Sequence, residues 1–228
     1  MRTTMLMSLL ACALMLTGCA NKQLGQELAT ARGDLETLRA ELDACTDALK
    51  KADAAAAGAK TAQALAEERL ETYRALAEKL RAAFGDQGLD IILRNGRLVV
   101  QLPNAILFDS GKRDLKPDGK ETLRKLAGVL KTVKNRRFLV AGHTDNVPVA
   151  QKAKGFRSNW ELSTLRATTA VEFLVSESMS ARQLAAGGYG EFLPTASNDD
   201  EAGRARNRRL EIIVMPNASE IPPMPKTL

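Results

Sequence analysis

The chain is poor in the residues that most enzymes use for catalysis. Among 228 residues there is one histidine, His143, and there are only three cysteines. Zinc hydrolysis takes three protein ligands as a rule, and one His with one distant Cys does not supply them. No G-x-S-x-G stretch is present, so the nucleophile elbow of a serine hydrolase is excluded. A catalytic pair of carboxylates stays open on sequence, and a hydrolase is the less favoured reading. No enzyme, metal or cofactor is expected. Long apolar runs are lacking too. The only one, Met5 to Leu16, contains no Asp or Glu and is too short to cross a bilayer as a mature helix. Aromatics are scarce, at 4% of residues.

That short run has a meaning of its own. One Arg precedes it and small residues follow, which is the layout of a secretory signal, so residues 1–18 read as a signal peptide. Its ending, Leu16-Thr17-Gly18-Cys19, looks like a bacterial lipobox. The resemblance implies cleavage before Cys19, with acyl chains on its thiol (palmitate among them) and on the new amino terminus. Residues 19–23 would form the lipidated N-terminus, and several chains at one residue anchor stably where one binds reversibly. Ala20 rather than Asp after the cysteine implies sorting to the outer membrane, facing the periplasm. The net charge of +6 lies in residues 85–228, with 22 basic against 16 acidic groups, while residues 21–84 carry 10 against 11. A basic domain fits nucleic acid in general, but an exported one does not meet it, so no nucleic-acid partner is expected.

From Leu24 to Phe84 no proline occurs, and apolar residues keep a seven-residue beat. One seam position takes Leu28, Leu35, Leu42, Leu49, Ala56, Gln63, Leu70, Ala77 and Phe84. The other takes Leu24, Ala31, Leu38, Cys45, Ala52, Ala59, Ala66, Tyr73 and Leu80. Only Gln63 breaks the pattern, which predicts a coiled-coil or helical spacer over 24–84. The middle is rich in Ala and buries little area, so pairing is weaker there. Two arrangements compete, a parallel homodimer and a single or folded-back helix, and self-association is favoured. Cys45 lies on the seam, so a parallel dimer would set it against its own copy and allow an interchain disulfide; otherwise it is a small seam filler.

The period then changes. In "IILRNGRLVVQL" Asn95-Gly96 separates two β-rich runs, a hairpin signal. Pro117 suits the first turn of a helix whose apolar stripe is Leu123, Leu126, Ala127, Leu130 and Val133. Residues 137–142 read as a buried strand, ending at His143 and Asp145. A second helix starts at Ser158, with Glu161 completing a capping box. On its wheel Leu162, Leu165, Thr169 and Phe173 define the core stripe, Arg166 falls inside it and Asn159 at its edge. An arginine aimed at a core needs an anionic partner. "LAAGGYG" and "RRLEIIVM" complete the strands, and helices on one sheet face make an α/β (α+β) two-layer sandwich. The proline-rich tail, 217–228, is expected to be disordered.

"GHTDNVPV", "SNWELSTLRATTAVEFL" and "GYGEFLP…GRARNRRLEIIV" together resemble the OmpA-like C-terminal domain, over about residues 88–216. That family includes peptidoglycan-associated lipoproteins and the flagellar stator protein MotB. The resemblance implies a βαβαββ sandwich and non-covalent binding of peptidoglycan through the diaminopimelate of its stem peptide. It places the family's acid on Asp145 and its arginine on Arg166. Diaminopimelate presents an ammonium and a carboxylate on one carbon, which suits one anion and one fork-shaped cation. Asn159 would orient the ligand, Arg208 would meet its other carboxylates, and Thr144 would add a hydroxyl or backbone contact. A mutual Asp145–Arg166 salt bridge with no ligand is the alternative. Two departures stand out: a long stretch between Asp145 and Asn159, and Gly111 where some relatives carry a polar side chain. A stator needs a membrane span with a proton-carrying carboxylate, which the apolar run lacks. The expected function is an outer-membrane lipoprotein that tethers membrane to cell wall, with a coiled-coil scaffold recruiting a protein partner as the alternative. Without companions for chemistry, His143 is read as a strand-end residue supporting its loop.

Overall fold

The computed structural model describes residues 2–85, 88–149 and 155–217, with side chains from residue 21 onward. The signal peptide's side chains, the Cys19 side chain and residues 218–228 of the expected tail lie outside the described residues. Two compact units divide the chain, Met1–Thr61 and Ala62–Leu228.

The first unit is helical throughout its described length, as part of α1 (Arg2–Phe84). Every side chain from 21 to 61 is exposed, including Leu24, Leu28, Leu35, Leu38, Leu42 and Leu49. The helix does not fold back on itself, so nothing within this unit covers the seam. Among the described residues no helix is long and apolar enough to cross a membrane.

The second unit is a five-stranded sheet with helices on one face. Its elements are β1 (Asp90–Arg94), β2 (Arg97–Pro103), the short α2 (Asn104–Leu107), α3 (Pro117–Leu130), β3 (Arg137–Gly142), α4 (Asn159–Ser176), β4 (Leu184–Gly188), α5 (Glu201–Asn207) and β5 (Arg209–Met215). The strand order is β1-β2-β5-β3-β4, antiparallel except for the parallel pair β3–β4. From β2 onward the succession is the βαβαββ predicted, apart from the short α5 between β4 and β5, with β1 added by a hairpin. Asn95 and Gly96 both take positive φ, 51° and 68°, which is the primed two-residue turn that fits the twist of its strands.

Strand alternation sends Leu98, Val100, Leu102, Phe138, Val140, Leu210, Ile212 and Val214 to the helical side, where Leu123, Leu126, Ala127 and Leu130 of α3 meet them. The last turns of α1 enter the same core: Tyr73, Leu76, Ala77, Leu80 and Phe84 are buried there. The seam positions from 73 onward are therefore filled from within the chain.

Helix α4 differs from its wheel reading by one position. Its buried residues are Asn159, Leu162, Ser163, Arg166, Ala167, Ala170 and Leu174, while Leu165, Thr169 and Phe173 are half-buried on the flank. The reason lies in the sheet beneath. A Cβ on Gly142 would stand 2.1 Å from the Ser163 carbonyl oxygen, and one on Gly188 would stand 2.2 Å from Thr164 Oγ1. Two glycines at the ends of the parallel strands let the helix come very close, so small side chains face the sheet and large ones move aside. Arg166 stays at the centre of the buried face. At the start of α4 the Ser158 hydroxyl accepts from the Glu161 amide at 3.2 Å, while the Glu161 carboxylate accepts from the Arg157 amide at 2.7 Å. The capping box thus closes one residue earlier than its usual form.

Candidate ligand-binding cleft

The cleft opens beyond the carboxyl ends of β2 and β3, and carboxyl strand ends are where open α/β sheets generally present ligand sites. The chain leaving β3 is held firmly: the His143 amide donates to the Arg209 carbonyl and the Thr144 amide to the Gly190 carbonyl, each at 2.9 Å. Asp145 then closes a local turn, its Oδ1 accepting from the Val147 amide at 3.2 Å. Asn159 braces the same turn from the first turn of α4, donating through Nδ2 to the carbonyls of Asp145 (3.3 Å) and Val147 (3.2 Å) and to the Glu191 carboxylate.

Arg166 lies two turns further along α4 and is 5% exposed. Its Nε donates to the Lys112 carbonyl at 2.9 Å and its Nη2 to the Asp109 carbonyl at 3.3 Å, and the guanidinium carbon sits 5.1 Å from the centre of the Phe108 ring. Burial lowers its pKa to about 10 and the Arg208 charge adds to this, while the Asp145 charge opposes both; the group remains a cation at neutral pH. Among the described residues two carbonyls occupy two of its five N–H groups, and the Nη1 pair and one Nη2 hydrogen have no partner there.

Arg208, between α5 and β5, donates to Asp145 Oδ2 at 2.7 Å and to Glu201 Oε1 at 2.5 Å. Burial pulls its pKa down, but these two carboxylates outweigh burial and raise it. Arg208 in turn holds the Glu201 carboxyl below the usual carboxylate range.

Thr144, Asp145, Asn159, Arg166 and Arg208 line one cavity of about 400 Å³ together with Gly111. All five residues singled out in the sequence thus meet in one place. Gly111 has φ 67°, a conformation that disfavours any side chain. Sequence reasoning did not find Asn104 or Glu201, which also line the cavity. Asn104 donates through Nδ2 to the His143 carbonyl at 3.1 Å, and its Oδ1 is buried with no hydrogen-bond partner among the described residues, as is Thr144 Oγ1. A lone Asn after a strand-ending proline carries no periodic signal, so only the folded chain reveals it.

His143 faces the other side of the sheet. It is 2% exposed, stacks on Tyr189 with ring centres 5.2 Å apart, and places Nε2 3.5 Å from Glu211. Glu211 is fully buried and accepts from Gln101 (2.8 Å), Arg209 (2.7 Å) and Arg94. Burial alone would raise the Glu211 carboxyl; the His143 ring beside it and hydrogen bonds from Arg94 and Arg209 hold it far below its ordinary value. Burial keeps the His143 ring neutral by lowering its pKa. The histidine supports its strand end, as the sequence suggested, through a polar cluster that sequence reasoning missed. The signal was there in strand parity: Glu211 alternates with the core residues Leu210 and Ile212.

The OmpA family model matches residues 107–208. Motility protein B of Bacillus subtilis is 31% identical over 155 residues, 67% of this chain and 59% of that protein. The probable lipoprotein YiaD of Escherichia coli is 33% identical over 138 residues, 60% of each. The chain therefore spans about three fifths of these relatives. Among solved structures, a putative MotB-like protein from Desulfovibrio vulgaris superposes with a TM-score of 0.61 at 24% identity, over 67% of this chain and 94% of that one. The cell wall anchor of the T6SS from Pseudomonas aeruginosa superposes with a TM-score of 0.56 at 34% identity, over 61% of this chain and 96% of that one. With these matches and its two-layer sandwich, the chain carries a domain of the OmpA family.

Proposed function

We propose that this protein binds peptidoglycan non-covalently in the cleft and anchors itself to the cell wall. The observation that carries the reading is a buried, protonated Arg166 in one cavity with the carboxylate of Asp145. A ligand carbon bearing both an ammonium and a carboxylate, as in diaminopimelate, complements that pair. Asp145 accepts from the ammonium while keeping Arg208, since a carboxylate has about four lone-pair sites. Arg166 grips the carboxylate through the Nη1 and Nη2 hydrogens its carbonyl partners leave available. Thr144 Oγ1 and Asn104 Oδ1, buried without partners among the described residues, meet the ligand's remaining polar atoms. Arg208 holds Asp145 and turns its remaining charge towards the peptide's other carboxylates, while Asn159 keeps the 145–147 turn in place.

The name of the 34%-identical relative, a cell wall anchor, supports the same reading. The lipobox at Cys19 and the likeness to a probable lipoprotein support the finer one, in which acyl chains fix the protein in the outer membrane and the domain ties that membrane to the wall.

Pull-down by sacculi containing diaminopimelate tests the site. Asp145→Ala and Arg166→Lys should each reduce the bound fraction at least ten-fold while the thermal transition of the domain persists. Lysine keeps the charge at 166 but loses the fork. Undiminished binding by both variants would sink the assignment, and release of soluble wall fragments would point to a hydrolase instead.

A further inference from the structure

The six seam leucines from Leu24 to Leu49 are between 50% and 63% exposed, on a helix whose seam enters the domain core only from Tyr73 onward. A stripe this long and this apolar is a docking surface, and the charges beside it say for what. With Leu28, Leu35, Leu42 and Leu49 at heptad position a, and Leu24, Leu38 and Cys45 at d, the flanking g positions are Glu27, Asp34 and Glu41. The flanking e positions are Arg32 and Arg39. Acids thus hold one flank and arginines the other. None of these five makes an ion pair within the chain among the described residues, whereas Asp47 and Lys50 nearby do.

We infer that residues 24–52 form a parallel, in-register zipper with a second copy of this chain. In a parallel pair each g residue faces the e residue five positions on in its partner. Glu27 then meets Arg32 of the other copy and Asp34 meets Arg39, and symmetry doubles both pairs. An antiparallel pair would set acid against acid and arginine against arginine, so the charges select against it. Full register gives the greatest overlap of leucines and brings the two Cys45 thiols face to face. The zipper ends where leucine gives way to Ala52, Ala56 and Ala59, short of the turns that pack on the domain. Two wall-binding domains on one dimer gain by multivalency, since release of one leaves the other bound. The dimer itself does not depend on the wall-binding reading.

The test uses the full chain with Cys12 and Cys19 changed to Ser, leaving Cys45 as the sole thiol. A short bismaleimide should join two chains through Cys45 in high yield. In an antiparallel pair overlapping over the same leucines, the thiols stand roughly 25 Å apart at 1.5 Å per residue, beyond that reagent. Glu27→Arg with Asp34→Arg should raise the dimer dissociation constant at least ten-fold by sedimentation. Mixing that variant with Arg32→Glu, Arg39→Glu chains should restore pairing as a heterodimer. A monomer at all concentrations, a dimer that Cys45 does not cross-link, or a dimer indifferent to the charge reversals would each overturn the proposal. Wall binding by the charge-reversed monomer separates this outcome from failure of the cleft.

Discussion

Arg166 and Glu211 are both buried ions, one in the helical layer and one on the opposite face of the sheet, and they are stabilised differently. Glu211 has a complete shell of partners: Arg94, Gln101 and Arg209 donate to it and His143 stands beside it. Arg166 has two carbonyls and an aromatic face, with Asp145 acting on it through its charge. A saturated ion serves the fold, and an unsaturated one in a cavity is available to a ligand. Removing the Glu211 carboxylate leaves buried arginine without its counter-charge. Glu211→Ala should therefore cost about 3–5 kcal/mol in denaturant unfolding. The pH dependence has a definite sign. The folded pKa of Glu211 lies below its unfolded value near 4.5, so its stabilisation is complete above that value and declines as pH falls through it and lower. Glu211→Gln should be less stable at neutral pH, with a flatter loss of stability on acidification. An acid limb as steep as wild type would contradict this.

At the scale of elements, α1 does two jobs along one stripe. Leu80 is fully buried in the domain core while Leu38 is 62% exposed. Leu80→Ala should destabilise the domain by about 2–5 kcal/mol, and Leu38→Ala should change its unfolding by less than about 0.5 kcal/mol. Equal effects would mean that the last turns of the helix do not belong to the domain. The heptad pattern reads the same through both segments, so it locates the helix without telling which stretch meets its own domain. The α4 wheel shows a related limit. Large apolar residues mark the face of a helix when its neighbour stands at ordinary distance, but Gly142 and Gly188 bring this one closer and reverse the rule. The Asn95-Gly96 hairpin and the Pro117 helix start were legible because local backbone chemistry decides them. Asn104 and the close approach of α4 depend on strands distant in sequence, and no local pattern encodes them.

For the whole molecule, the family and the two-layer sandwich were readable from three separated motifs, and the structure brings the residues they carry into one cavity. That cavity is assembled from segments far apart along the chain. Arg166 reaches back 57 residues to the Asp109 carbonyl, and Arg208 reaches back 63 residues to Asp145. No fragment of the domain holds the site alone, so a ligand that needs all of them binds the folded state and not the unfolded one. Occupancy then raises the free energy of unfolding with ligand concentration. Copies gripping their ligand become the poorest substrates for proteases that act on opened chains, and idle copies the best. The chain's turnover would thus be coupled to whether it has something to hold.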